Sequence, residues 1–106
     1  MNSDIIYTDS YDFYDRIESG VVLVFFYEHN DHQCRLMEQI MDELSEWYED
    51  RLTILAVDVE QSPELAAHYE IETVPMVLFF KNGEMAEAVE SANLSEVYRE
   101  IIDELL

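Results

Sequence analysis

The chain of 106 residues carries a formal net charge of −20, from 25 Asp and Glu against five Lys and Arg. Nucleic acids and anionic membranes are bound through basic side chains, so this charge excludes both as partners. No apolar run is long enough to span a membrane, and the N-terminal residues lack the basic start and apolar core of a signal peptide. We therefore expect a cytoplasmic protein with a single domain over residues 1–106.

The negative charge has three open explanations. It can steer a basic protein partner toward the surface, suit a salt-rich cytoplasm, or simply keep the protein soluble. The acidic residues are interleaved with well-spaced apolar ones, which favours a folded chain over a disordered one. Nothing in the sequence indicates a cofactor, and the oligomeric state stays open.

The first elements predicted along the chain are a short edge strand over residues 4–7 and a helix over residues 11–17. Thr8 or Asp9 can cap this helix, and Gly20 is placed to end it.

The next element, residues 21–27, is a continuous β-branched and aromatic run, which predicts a strand buried on both faces at the centre of a sheet. A long helix to about Glu49 follows, with Trp47 and Tyr48 expected to pack near its end. Its apolar positions fall at helical spacing: Leu36, Met37, Ile40, Met41, Leu44 and Tyr48.

The second half begins with a predicted buried strand over residues 52–59, at whose end Asp58 and Glu60 are expected to face the loop or solvent. Ser62 and Pro63 are typical of a helix start, with the serine hydroxyl as the cap. This predicts a short helix over residues 64–69.

The last elements are a hairpin and a helix. A strand over residues 76–81 leads into Asn82-Gly83, a strong hairpin signal, and residues 84–89 return antiparallel to it. Asn93 and Glu96 form a capping box for a final amphipathic helix. The order βαβαβαββα predicts an α/β fold with a mixed sheet of four to five strands and helices on both faces.

This order resembles the thioredoxin fold over nearly the whole chain. Residues 22–27 are similar to the central strand of that family, and residues 79–84 to its Phe-Lys-Asn-Gly hairpin. Thr73-Val74-Pro75 resembles the family's Ile/Val-Pro element, which implies a cis Val74–Pro75 bond placed against the active-site loop.

The resemblance fails at the redox motif. The register lays the family's Trp-Cys-Gly-Pro-Cys on residues 30–34, which read Asn-Asp-His-Gln-Cys. Dithiol chemistry needs one cysteine at the helix N-terminus, where the dipole lowers its pKa, and a second one turn later. Asp31 occupies the first position and Cys34, the only cysteine in the chain, the second, so no self-contained dithiol centre can form.

Further positions that the family uses at its active site also carry different residues in this chain. The family's buried carboxylate falls on Phe25 and its lysine partner on Ala56, and losing both together avoids an unpaired buried charge. The small glycine beside the family's site falls on Ser91, and the residue after the proline is Met76.

The resemblance also implies a groove for extended polypeptide. If its apolar members are exposed they form a binding patch, and if the loop over residues 28–33 covers them they are only core. The candidate groove residues are Tyr27, Asn30, His32, Val74, Pro75, Met76 and Ser91.

Each residue of the candidate site has a structural alternative. Asp31 fits a helix cap as well as a catalytic role, and Cys34 is either a small buried hydrophobe or a reactive thiol. A zinc site is a further alternative that we do not favour, because its four candidates crowd into six residues and would all have to turn inward. Those candidates are His29, Asp31, His32 and Cys34, whereas His68 is expected to be a surface residue.

The sequence and the resemblance together suggest two alternative functions. The first is a thioredoxin-like domain without the dithiol centre, acting as a protein-binding, chaperone-like or assembly module for a protein partner, with a basic protein as one candidate. The alternative is a single-cysteine thiol-disulfide oxidoreductase that uses Cys34 with glutathione or a partner thiol in cell redox homeostasis.

Overall fold

The structure is a computed structural model that describes residues 5–90 and 94–106. The elements follow the order predicted from the sequence. They are β1 (Ile5–Tyr7), α1 (Phe13–Arg16), β2 (Val21–Tyr27), α2 (His32–Tyr48), a 3-10 turn (Glu49–Arg51), β3 (Thr53–Asp58), α3 (Pro63–His68), β4 (Met76–Lys81), β5 (Glu84–Glu90) and α4 (Ser95–Leu105).

The described strands form one mixed sheet in the order β1-β3-β2-β4-β5. β1, β3 and β2 are parallel, whereas β4 pairs antiparallel with β2, and β5 pairs antiparallel with β4. All residues of β2 except Tyr27 are buried, as its β-branched and aromatic composition predicts for a strand covered on both faces. The predicted α/β class with a mixed sheet is therefore confirmed.

Helices cover both faces of this sheet because alternate β2 side chains point to opposite sides. Leu23 and Phe25 pack in one cluster with α2 and α4 side chains such as Met37 and Ile102. On the other face, residues of β2 and β4 pack against α1 and α3, in a cluster that includes Phe13, Val24, Phe26, Leu65 and Phe80.

The hairpin between β4 and β5 turns at Asn82 and Gly83, as predicted. Both residues have positive φ, 52° and 89°, which is the conformation that a two-residue turn of this kind needs. The Asn82 side-chain oxygen accepts the N–H of Gly20 at 2.9 Å, and the Asn82 N–H donates to the Gly20 carbonyl at 2.9 Å. These bonds tie the hairpin tip to the turn that precedes β2.

The first helix is shorter than predicted, since it covers Phe13–Arg16 instead of residues 11–17. The expected cap at Thr8 or Asp9 and the expected stop at Gly20 were also wrong. The Asp9 carboxylate accepts the N–H of Tyr11 at 3.0 Å, which holds a turn where the helix was expected. Such local side-chain bonds compete with helix formation.

Two further expectations, a cap bond from Ser62 and a packed Trp47, were wrong, whereas that for Asp58 was confirmed. Asp58 faces the loop after β3, one of the two expected alternatives, since its Oδ1 accepts the N–H of Glu60 at 2.9 Å, and it is only 7% exposed. Ser62 precedes α3, and Pro63 lies in its first turn, but the Ser62 hydroxyl makes no cap bond. Trp47 is 61% exposed, with the Arg99 guanidinium 4.6 Å from its ring centre.

One prediction for α2 differs in part from the structure, and one for α4 falls on a residue that the structure does not describe. Leu36 lies on the exposed side of α2 although it belongs to the apolar pattern. The predicted capping box depends on Asn93, which lies outside the described residues.

Within residues 5–90 and 94–106, no helix combines the length and apolar character needed to cross a membrane.

Candidate functional site

The candidate site lies at the carboxyl end of β2, where the chain turns into α2. Asn30 takes the left-handed conformation, with φ 63°, and Asp31 follows in an extended conformation as the N-cap of α2. The Asp31 Oδ1 accepts the backbone N–H of Cys34 at 2.9 Å. This bond satisfies one of the free N–H groups at the start of the helix and lowers the pKa of Asp31.

The Cys34 side chain is buried in the first turn of α2. It is 3% exposed and belongs to the same apolar cluster as Phe25 and Val77. Burial raises the pKa of the thiol to about 11, and the adjacent Asp31 carboxylate acts in the same direction. At neutral pH the thiolate fraction is therefore on the order of 10⁻⁴, which makes the thiol a weak nucleophile.

Phe25 and Ala56 lie opposite each other in the pairing of β2 with β3. Both are 2% exposed and belong to the apolar cluster that contains Cys34. The interior beside the thiol therefore presents an aromatic ring and a methyl group where the thioredoxin resemblance implies a carboxylate and a lysine.

The Val74–Pro75 peptide bond is cis, in agreement with the expectation from the resemblance. Pro75 is buried, whereas Tyr27, Val74 and Met76 are half-buried. The apolar groove residues thus form neither a fully exposed patch nor a sealed core. They make a rim of three partly accessible side chains.

The polar groove residues differ from this rim in exposure. Asn30 and His32 are both exposed, and Ser91 lies outside the described residues.

Tyr27 is held by ring contacts, stacking on Phe25 with centroids 5.6 Å apart and meeting His29 edge-on at 6.0 Å.

The structure does not bring the four possible zinc ligands together. Asp31 is bonded to the helix N-terminus, Cys34 is buried, and His29 lies near Asp58, with Nε2 3.9 Å from Oδ2. In the part of the chain that the structure describes, no group of three or more His, Cys, Asp or Glu side chains is placed to hold a metal ion. His68 is exposed, as expected for a surface residue.

Asp58 is a site residue whose burial the sequence pattern did not predict. Its carboxylate is buried at the end of β3, directly opposite Tyr27 in the strand pairing. It borders a cavity of about 210 Å³. One feature of the sequence could have marked Asp58 as a site residue. It lies at the carboxyl end of a predicted buried strand, where binding residues concentrate in α/β sheets.

Fold and site together define an α/β domain in which a central strand leads into a capped helix and a cis-proline precedes β4. The family model described as Thioredoxin matches residues 4–104. A thioredoxin from Staphylococcus epidermidis is 36% identical over 99 residues, covering 93% of this chain and 94% of that protein. A thioredoxin from Staphylococcus aureus is 34% identical over 95 residues, covering 90% of this chain and 91% of the relative. The chain belongs to the thioredoxin family.

Proposed function

We propose that this protein is a thioredoxin-like binding module that lacks the dithiol redox centre and binds extended polypeptide at the rim formed by Tyr27, Val74 and Met76. The observation that carries the proposal is the Asp31 bond to Cys34. A carboxylate engaged as a helix cap stands where disulfide exchange needs a first thiol, and it can neither attack a disulfide nor form one.

The rim supports the binding half of the proposal. Its three side chains are apolar and partly accessible, and they flank a buried cis-proline next to the exposed Asn30 and His32. Such a combination of apolar contact area and a polar border suits a polypeptide that lies across the surface. A chaperone-like or assembly role would use this same face.

The net charge of −20 supports a basic partner. Opposite charge on the partner would accelerate encounter and make binding sensitive to ionic strength. A single unpaired cysteine suits a reducing compartment, and a cytoplasmic location is part of the proposal.

The competing function is redox chemistry in cell redox homeostasis, with Cys34 acting alone through glutathione or a partner thiol. It is favoured by the relatives, which are named thioredoxin. The burial of the Cys34 thiol and its raised pKa disfavour it, because only an accessible thiolate attacks a disulfide at a useful rate.

The binding proposal is tested with a basic, permanently unfolded polypeptide, such as a reduced and carboxamidomethylated lysozyme, titrated into the ¹⁵N-labelled protein at low salt. We expect saturable amide shifts at Tyr27, Val74 and Met76, and a weaker affinity as salt is raised. Met76→Asp places a charge on the apolar rim and should weaken binding about tenfold or more.

The matched control is Met85→Asp, since Met85 is an exposed methionine on β5 that is not part of the rim. It adds the same charge and should change the affinity less than twofold. Equal effects of the two substitutions, or shifts confined to residues away from the rim, would contradict the proposal.

A further inference from the structure

A polar cavity of about 210 Å³ opens at the carboxyl ends of the parallel strands β1, β3 and β2, on the far side of Tyr27 from the cis-proline. β2 leads to a helix on one face of the sheet, whereas β1 and β3 lead to helices on the other. Such a switch in direction opens a crevice where α/β proteins bind ligands. Its lining is Tyr7, Thr8, Asp9, Asp12, Tyr27, Ala56, Asp58, Gln61 and Ser62.

Two buried polar side chains, Asp58 and Ser62, line this cavity. Each has an oxygen atom that can make a further hydrogen bond. Asp58 is 7% exposed, and its Oδ1 accepts backbone N–H groups while its Oδ2 has His29 only at 3.9 Å. Ser62 is 1% exposed, and its hydroxyl makes neither the cap bond nor any hydrogen bond with the described residues. Both residues line the cavity, so these oxygens can bond to a donor that enters it.

The charge of the lining points to a cation. It includes three carboxylates and no Lys, Arg or His. Asp12 is already paired with Arg16 at 2.8 Å, which leaves Asp9 and Asp58 without a cationic partner from the lining. Asp58 is buried whereas Asp9 is exposed, so an entering positive charge is stabilised chiefly by the Asp58 carboxylate.

The geometry favours an organic cation over a metal ion. The described part of the chain has no group of three ligands placed around a single point, as a metal needs. The acceptors are instead spread along a cavity with aromatic walls, since the Tyr7 and Tyr27 rings meet edge-on with centroids 6.2 Å apart. N–H donors distributed over a planar guanidinium or an ammonium, on an apolar stem, match such a lining.

We propose that this cavity binds an alkylguanidinium or alkylammonium group, whose N–H donors bond to Asp58 and the Ser62 hydroxyl while its stem lies against Tyr7 and Tyr27. The group can come from a basic side chain of a polypeptide or from a free amine. The cavity shares Tyr27 with the polypeptide rim, so its test uses amides that are not part of the rim.

The test is a titration of the ¹⁵N-labelled protein, at constant ionic strength, with N-acetyl-arginine methylamide and with n-butylguanidine. We expect saturable amide shifts at Thr8, Glu60, Gln61 and Ser62. N-acetyl-citrulline methylamide, the neutral counterpart of the first probe, should bind at least about tenfold more weakly. Binding of either guanidine supports the proposal, and the tighter one identifies the source of the cation.

Variants locate the binding. Asp58→Asn should weaken it about tenfold or more, whereas Asp50→Asn, which removes an exposed charge near the opposite end of β3, should change it less than twofold. Should Asp58→Asn fail to fold, Ser62→Ala tests the same cavity and should weaken binding about threefold. Equal binding of the citrulline probe, shifts caused by Mg²⁺ alone at these amides, or equal effects of the two Asp substitutions would overturn the proposal.

Discussion

The Asp31 carboxylate accepts the backbone N–H of Cys34 at 2.9 Å, so the residue at the head of the helix is bonded to the residue that carries the thiol. This one bond has two effects. It stabilises the start of α2, and it holds a negative charge beside a buried sulfur whose pKa is raised to about 11. The second effect, together with burial, favours a neutral and unreactive thiol.

Replacing the cap should lower stability without changing the fold. We expect Asp31→Ala to lower Tm by roughly 4–8 °C, and Asp31→Asn by less, because the amide oxygen can still accept the Cys34 N–H. Thermal unfolding followed by circular dichroism measures both. The pKa of Asp31 is lowered in the folded protein, so its contribution is complete above the ordinary pKa of an aspartate and is lost as the pH falls through the lower folded value.

The difference in Tm between the parent and Asp31→Ala should therefore shrink in acid. A difference that is constant with pH would show that the Asp31 charge has no part in the cap.

The Cys34 thiol should react slowly and should weaken the fold in alkali. Between pH 9.0, the ordinary pKa, and the folded value of about 11, the unfolded chain loses the thiol proton while the folded protein keeps it. The free energy of unfolding should therefore fall over this range by about 1–2 kcal/mol more in the parent than in Cys34→Ala, after solvent screening is allowed for.

Urea titrations at a series of pH values measure this difference. Alkylation of the folded protein by iodoacetamide at pH 7 should also be slower than that of the urea-unfolded chain by at least about tenfold. Equal alkylation rates would show that neither burial nor a raised pKa protects the thiol.

The apolar pair Phe25 and Ala56 predicts a coupled response to charge. Phe25→Asp buries an unpaired carboxylate and removes a large side chain, and should cost about 4 kcal/mol or more. The double variant Phe25→Asp with Ala56→Lys should recover part of that loss, because the two positions face each other across β2 and β3. Denaturant unfolding of both single variants and the double gives the coupling free energy, expected at about 1–3 kcal/mol. Simple additivity would contradict it.

Restoring the missing sulfur should restore a disulfide. Asp31→Cys places two cysteines three residues apart at the start of α2, so we expect an intramolecular disulfide under mild oxidation. Free-thiol titration and mass spectrometry should show two fewer hydrogens in the oxidised variant and no such change in the parent. A variant that oxidises only between molecules would show that this turn does not bring the two side chains together.

Patterns that local sequence determines were the ones predicted well. The run of β-branched and aromatic residues over Val21–Tyr27 identified the buried central strand, and Asn82-Gly83 identified the hairpin turn, because both depend on a few neighbouring residues. The cap at Asp31 was one of two alternatives for that residue. The choice between them depended on whether its side chain turned toward Cys34.

Features set by competing local bonds or by packing were missed. A turn held by Asp9 replaced the expected first part of α1, and the loop after β3 folds back so that Asp58 is buried under its own turn. Trp47 precedes the buried Tyr48 in α2 but is itself exposed, and the Arg99 guanidinium of α4 lies over its ring. None of these outcomes can be read from spacing alone.

The central claim is that the carboxylate of Asp31 and the buried thiol of Cys34 leave no dithiol chemistry in this protein. The most direct measurement is the rate of insulin reduction by dithiothreitol in the presence of the parent protein and of Cys34→Ser. We predict that both give the rate of dithiothreitol alone. A rate that is raised by the parent and lost in Cys34→Ser would contradict the claim.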